Sequence, residues 1–180
     1  DFEKATLTGE EEAGRTLEEG IEIAKLLETY GYDCLNVDTG TYDSFYYACP
    51  PMYMPKGYAV ELAAKAKTAV KIPILAGGRM NDPDIAEEAL RNGKIDAVVM
   101  GRAALADPEY PNKVISGHPE RIRPCIACNQ GCLTRLQQGK QPSCAVNPRA
   151  MRETRFAERP AIRRKKVVIV GGGVAGMEAA

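Results

Sequence analysis

Residues 74–102 run Ile74-Leu-Ala-Gly-Gly-Arg79-Met-Asn-Asp82-Pro-Asp-Ile-Ala-Glu-Glu-Ala-Leu-Arg-Asn-Gly93-Lys-Ile-Asp-Ala97-Val-Val-Met-Gly-Arg102. This is one full strand–helix–strand repeat. Ile74-Leu-Ala76 is a short apolar run cut off by two glycines, as in a buried strand. Asp82 is placed to cap a helix, Pro83 suits its first turn, and Gly93 supplies the stop. Ala97-Val-Val-Met100 then reads as a second strand. Strands that alternate with helices pair in parallel, so the stretch predicts a parallel sheet.

The same unit recurs upstream. Thr8-Gly-Glu-Glu11 reads as a capping box ahead of a helix with apolar residues at Leu17, Ile21, Ala24 and Leu27, stopped by Gly31. Asp33 to Asp38 reads as a buried strand in which Cys34 is a small core residue. A helix over about residues 58–70 leads into Ile74. Downstream, residues 103–118 predict a short helix interrupted near Pro108 and Pro111. Residues 151–166 read as a charged, solvated connector, and an apolar strand begins at Val167. His118 is the only histidine and reads as a surface loop residue.

Both strands of the opening stretch end in the same dipeptide, Gly78-Arg79 and Gly101-Arg102. Glycine lets backbone N–H groups approach an anion, Gly77 adding to this, and arginine adds a bidentate charged contact. In (β/α)8 barrels a phosphate site lies on the loops after the seventh and eighth strands. The other reading is that each glycine serves a tight turn and each arginine pairs with a nearby acid.

Four of the six cysteines form a C-x2-C-x3-C-x11-C pattern: Cys125, Cys128, Cys132 and Cys144. Four converging thiolates can hold a [4Fe–4S] cluster or a zinc ion. Structural zinc sites more often show two C-x2-C knuckles, and the x3 spacing departs from that. Unligated thiols and disulfides remain as further readings. Gly131, Gly139, Pro142 and Pro148 are turn residues that would bring the sulfurs together.

The connection over residues 39–57 is long for a strand-to-helix loop. It carries Tyr42, Phe45, Tyr46, Tyr47, Tyr53, Met52 and Met54. Such a loop would line an apolar substrate pocket or pack on a neighbouring subunit. Val167-Val-Ile-Val-Gly171-Gly-Gly173-Val-Ala-Gly176 is an apolar run followed by G-x-G-x-x-G, a dinucleotide fingerprint when it lies between strand and helix.

Composition narrows the class. With 24 basic and 24 acidic side chains among 180 residues, the net charge gives no support to a nucleic-acid surface. No apolar run approaches the roughly 20 residues of a membrane span. The first residue is not methionine and the last residues fall within a predicted helix, so the chain reads as an internal piece of a larger protein.

In this order, the glycine–arginine strand ends, cysteine loop and dinucleotide segment resemble the multidomain relatives of old yellow enzyme. These are NADH:flavin oxidoreductases such as 2,4-dienoyl-CoA reductase, 2-enoate reductase, bile-acid flavin oxidoreductases and trimethylamine dehydrogenase. The matching residues are Asn81-Asp-Pro83, Met100-Gly-Arg102, the stretch from Cys125 to Cys132, Ser143-Cys-Ala-Val-Asn-Pro148, and Gly171 to Gly176.

The resemblance implies an α/β fold: the C-terminal part of a TIM (β/α)8 barrel, a cysteine-rich cluster loop, and the start of a Rossmann-like FAD/NAD(P)-binding domain. Its divisions would be an FMN-binding barrel part over 1–118, a 4Fe-4S loop over 119–150, a linker over 151–166, and the nucleotide-binding start over 167–180. It implies that Gly77, Gly78, Arg79, Gly101 and Arg102 hold the FMN phosphate. Cys125, Cys128, Cys132 and Cys144 would hold the 4Fe-4S cluster, and Gly171, Gly173 and Gly176 would approach the FAD pyrophosphate. Electrons would run from NAD(P)H through FAD and the cluster to FMN, and on to an activated C=C bond of an enoate, enoyl-CoA or enone.

Dienoyl-CoA reductases carry a histidine in the region of residues 39–48. This chain has none there, and Tyr42 and Asp43 stand nearest as candidates for proton delivery. The whole protein is expected to be a cytoplasmic enzyme acting on a small molecule, with no nucleic-acid or membrane partner and a homo-oligomer left open. The piece alone is expected to be inactive. The alternatives are an oxidative amine dehydrogenase of the same family and, in another class, a non-catalytic zinc-binding interaction module.

Overall fold

The computed structural model describes residues 15–42, 44–157 and 161–180. The Thr8–Glu11 capping box and Asp43 lie outside these residues. Helix α1 (Leu17–Thr29) instead starts at Thr16, whose hydroxyl accepts from the Glu19 amide while the Glu19 carboxylate accepts from the Thr16 amide. Two amides that the helix leaves without partners are thereby satisfied.

Three strands follow: β1 (Leu35–Val37), β2 (Ile74–Ala76) and β3 (Ala97–Val98). They pair in parallel in the order β1-β2-β3, with Val37 opposite Ala76 and Ala76 opposite Val98. Between β1 and β2 lie a four-residue helix, α2 (Phe45–Ala48), and α3 (Val60–Ala69). Helix α4 (Pro83–Arg91) joins β2 to β3, capped by Asp82 with proline in its first turn. Beyond β3 come α5 (Arg102–Ala106) and α6 (Tyr110–Ile115). The predicted single interrupted helix is thus two, parted at Asp107-Pro108, while Pro111 sits in the first turn of α6, where its missing N–H costs nothing.

The core joins Ala24 of α1, Val60, Ala63 and Ala66 of α3, Ala86 and Ala89 of α4, and Ile74 and Ala76 of β2. Alanine on the buried helix faces lets the helices lie close to a central strand that is itself buried. Two carboxylates tie this layer together. Glu28 accepts from the amides of Lys71 and Ile72 at 2.7 and 3.1 Å. Asp96 accepts from the Ile74 amide at 2.8 Å and pairs with Lys67.

The expected part of a TIM barrel is not what forms. The sheet has three strands and is open, with no further strand on either edge among the described residues. Barrel closure needs a full ring of tilted, staggered strands. The expected start of a Rossmann-like domain is also not formed. Residues 167–170 form no strand, and Val168 and Val170 are 86% and 95% exposed. An apolar run becomes a strand only when a ladder partner satisfies its backbone. Only the following short helix, α7 (Val174–Ala179), is made. Cys34, expected in the core, is exposed just ahead of β1. No helix among the described residues is long and apolar enough to cross a membrane.

Candidate functional site

The carboxyl ends of all three strands open onto one cavity of about 250 Å³. Gly77, Gly78, Arg79, Gly101 and Arg102 all line it. In open α/β sheets this end is where ligands bind, because the chain turns away from the sheet there and leaves a crevice.

The two glycine–arginine turns are built differently. Gly78 has φ +92°, and a Cβ there would lie 2.6 Å from the Tyr58 ring. Gly101 has an ordinary φ of −96°, with nothing within 4 Å of a would-be Cβ. Arg79 is itself left-handed, at φ 55°. Its Nη1 donates to the carbonyls of Met52, at 2.8 Å, and Met54, while its Nε is buried without a partner. Arg102 Nη1 donates to the Pro50 carbonyl at 2.7 Å and to Oδ1 of Asn129. Neither arginine pairs with an acid among the described residues. Both hold the 39–57 connection down over the strand ends.

Tyr58 sits under this loop. Its hydroxyl accepts from Thr39 Oγ1 at 2.9 Å and donates to the Tyr47 carbonyl, and burial pushes its pKa up. Tyr42 is 95% exposed and does not line the cavity. The loop's apolar content is divided: Pro50 is fully buried, whereas Tyr53 and Met52 face outward.

Cys125, Cys128, Cys132 and Cys144 line a second, smaller cavity of about 20 Å³. All are free thiols. Among the described residues, no three histidine, cysteine or acidic side chains stand close enough together to hold one metal ion. Local backbone geometry explains why the four line one cavity. Ala127 and Asn129 take left-handed φ values of 52° and 58°, which curl the chain round Cys128. The Ser143 amide donates to the Gly131 carbonyl at 2.6 Å, joining the neighbours of Cys132 and Cys144. A Cβ on Gly131 would meet the Ser143 carbonyl oxygen at 2.8 Å, so glycine is required for that approach. Burial pushes the Cys125 thiol up, against the Ala127 amide, which donates to its sulfur at 3.4 Å, and the Arg102 charge.

Three asparagines without an assigned role in the sequence hold this arrangement together. Asn81 Nδ2 donates to the Cys125 carbonyl at 3.0 Å. Asn129 Nδ2 donates to the Cys49 carbonyl at 3.0 Å. Buried Asn147 donates to the Leu105 carbonyl at 2.9 Å and accepts from the Arg149 amide at 3.0 Å. Each lay inside a quoted motif, yet their partners are 24 or more residues away or in the backbone, where spacing carries no signal. Arg102 and Cys125 line both cavities, so the two sites share a wall.

The glycine turn at 171–176 is compact. A Cβ on Gly176 would lie 2.0 Å from the Gly171 carbonyl oxygen. Met177 N donates to the Gly173 carbonyl at 2.9 Å, opening α7.

Residues 9–121 match the NADH:flavin oxidoreductase / NADH oxidase family. The chain is 49% identical over 170 residues to a cinnamate reductase from Clostridium sporogenes, covering 94% of this chain and 26% of that protein. It is 44% identical over 171 residues to an NADH oxidase from Thermoanaerobacter brockii, again covering 94% and 26%. Among solved structures, a 2-naphthoyl-CoA reductase in complex with 2-naphthoyl-CoA superposes with a TM-score of 0.87 at 42% identity, covering 94% of this chain and 26% of that one. The chain therefore spans about a quarter of the length of these relatives.

Proposed function

The chain belongs to the NADH:flavin oxidoreductase / NADH oxidase family, and from that premise we propose that it carries the FMN-phosphate and cluster-binding parts of an NAD(P)H-dependent reductase. The substrate is an activated C=C bond of the enoate, enoyl-CoA or enone type. The observation that carries this reading is the shared wall: Arg102 and Cys125 border both the strand-end cavity and the four-thiol cavity.

The strand-end cavity suits the phosphate-bearing end of FMN. Its volume is below the roughly 300–1,000 Å³ of sites that enclose whole ligands. The buried, unpartnered Nε of Arg79 is a charged donor in need of an acceptor, and a phosphate oxygen provides one. Gly77, Gly78 and Gly101 leave the backbone open to the anion, and Arg102 adds charge. The donor set of Cys125, Cys128, Cys132 and Cys144 round one apolar cavity suits a 4Fe-4S cluster. We assign residues 1–118 to the FMN part, 119–150 to the cluster loop, 151–166 to a linker, and 167–180 to an FAD-contacting segment. There Gly171, Gly173 and Gly176 form a turn tight enough to meet a pyrophosphate.

When bound, the flavins supply hydride chemistry and the cluster a one-electron relay between them. The chain's own residues do the positioning. Arg79 and Arg102 neutralise the phosphate and at the same time hold residues 50–54 over the strand ends. Tyr58, braced by Thr39 and packed on Gly78, supports that turn from below.

The test is the visible spectrum of the full-length protein. Flavin peaks with a broad iron–sulfur shoulder, bleached by NAD(P)H or dithionite, are expected, together with consumption of an enoate or enoyl thioester. A colourless protein that carries zinc would reject the reading.

A further inference from the structure

We infer that Asn129 is a positioning residue that couples occupancy of the four-cysteine site to the grip of the strand-end cavity on a phosphate, acting through Arg102. This rests on the cofactor assignments just made. Asn129 follows Cys128 directly and opens the π-helical turn (Gln130–Thr134) that contains Cys132. Its backbone is left-handed, and its carbonyl accepts from the Thr134 amide at 3.0 Å. It lines the four-thiol cavity, and its side chain reaches across to the arginine and the loop at the strand ends. Oδ1 accepts from Arg102 Nη1, and Nδ2 donates to the Cys49 carbonyl at 3.0 Å. The same Nη1 donates to the neighbouring Pro50 carbonyl at 2.7 Å. One amide thus clasps the cysteine loop, the 39–57 connection and the arginine that opens α5 after β3.

The coupling follows from what each state does to that clasp. The space between the thiols is about 20 Å³, room for little more than a water, so any cluster resets the loop that carries Asn129. A ligated loop is fixed at four points and holds Asn129 in one place. Without ligation, only hydrogen bonds hold it. A guanidinium pre-set by Asn129 binds an anion without first being ordered, and ordering lost on one side is affinity lost on the other.

The experiment uses the full-length protein, loaded with iron or stripped of it, and titrates FMN and riboflavin into the flavin-free forms. In the wild type, iron removal should weaken FMN by about tenfold, close to one decade of affinity, and leave riboflavin unchanged. Asn129→Gly keeps the left-handed backbone and deletes the side chain. It should retain iron, bind FMN about tenfold more weakly from the start, and show no further loss when iron is removed. Asn129→Asp keeps the acceptor for Arg102 but loses the donor to the Cys49 carbonyl and adds a carboxylate beside the anion, so it should bind FMN more weakly than the wild type while keeping a response to iron. Should Asn129→Gly fail to hold iron, Arg102→Gln tests the other side of the contact, and its FMN affinity should no longer respond to iron. A wild type that holds iron and FMN but shows no iron dependence overturns the coupling alone. So does an Asn129→Gly protein that retains iron and loses FMN affinity further when stripped. A wild type that binds neither iron nor FMN overturns the cofactor assignments and the coupling together.

Discussion

Asn81 donates from Nδ2 to the carbonyl of Cys125 at 3.0 Å, so the turn that leaves β2 holds the first cysteine of the loop. The two residues are 44 positions apart in the chain, and this bond is one of those that set how the thiol loop meets the sheet. Replacing Asn81 with leucine should leave a half-buried carbonyl without its donor and destabilise the protein by about 1 kcal/mol. Iron should be lost faster to a chelator, while the far-ultraviolet circular dichroism stays unchanged. Unaltered chelation kinetics would count against the bond as a brace.

The two glycines of the glycine–arginine turns should respond in opposite ways. Gly78→Ala places a methyl 2.6 Å from the Tyr58 ring on a residue with φ +92°. A loss of about 1–3 kcal/mol is expected from the strained backbone, with more from the clash. Gly101→Ala meets no atom within 4 Å and has a φ that alanine accepts. Its melting temperature should match the wild type, with any effect confined to FMN affinity. Equal destabilisation of the two variants would contradict these turn geometries.

Cys128→Ala should strip iron and acid-labile sulfide from the full-length protein and interrupt electron flow from NAD(P)H to substrate. Reduction of substrate driven by an artificial one-electron donor should partly survive, because the strand-end cavity lies on the other side of the shared wall. Full iron content in this variant would remove Cys128 from the ligand set.

Asp107 should give the protein an acid-sensitive support. Burial works to raise its pKa, but Lys113 Nζ at 2.6 Å and the amides of Arg123 and Glu109 at 2.8 and 3.1 Å outweigh that and hold it below the ordinary range. A carboxyl depressed on folding stabilises the protein above its unfolded pKa, about 3.9, and that contribution is lost as pH falls through the lower folded value. Asp107→Asn should cost about 2 kcal/mol near neutral pH, the scale of a hydrogen-bonded charge. The gap to the wild type should narrow only below about pH 3.9. Denaturant melts of both proteins across that range measure it, and a gap independent of pH would show that the charge is not what matters.

Local chemistry in the sequence was enough to determine the longer helices α1, α3 and α4 and the three strands of the sheet. Asp82 and Pro83 start α4 because a cap and a fixed φ act within one turn, and Gly93 follows its end for the same reason. Ile74-Leu-Ala76 and Ala97-Val98 are strands, as their apolar runs between turn residues predicted. The four cysteines were legible as one group, and they do line one cavity. What needs a partner was not legible. Residues 167–170 carry as strong an apolar pattern as Ile74–Ala76, yet they form no strand, since a strand is made by a neighbour's backbone and not by its own side chains. For the same reason three strand–helix repeats looked like part of a closed barrel although the sheet is open: local pattern repeats identically in both, and closure is a property of the edges. Cys34 reads as core and lies exposed, because its position ahead of β1 decides its burial. The arginines were placed at the strand ends by sequence, but their direction was set by carbonyls at Pro50, Met52 and Met54 and by Asn129. Only the folded chain brings those groups within hydrogen-bonding distance, and it is they that turn two adjacent cavities into neighbours across one guanidinium.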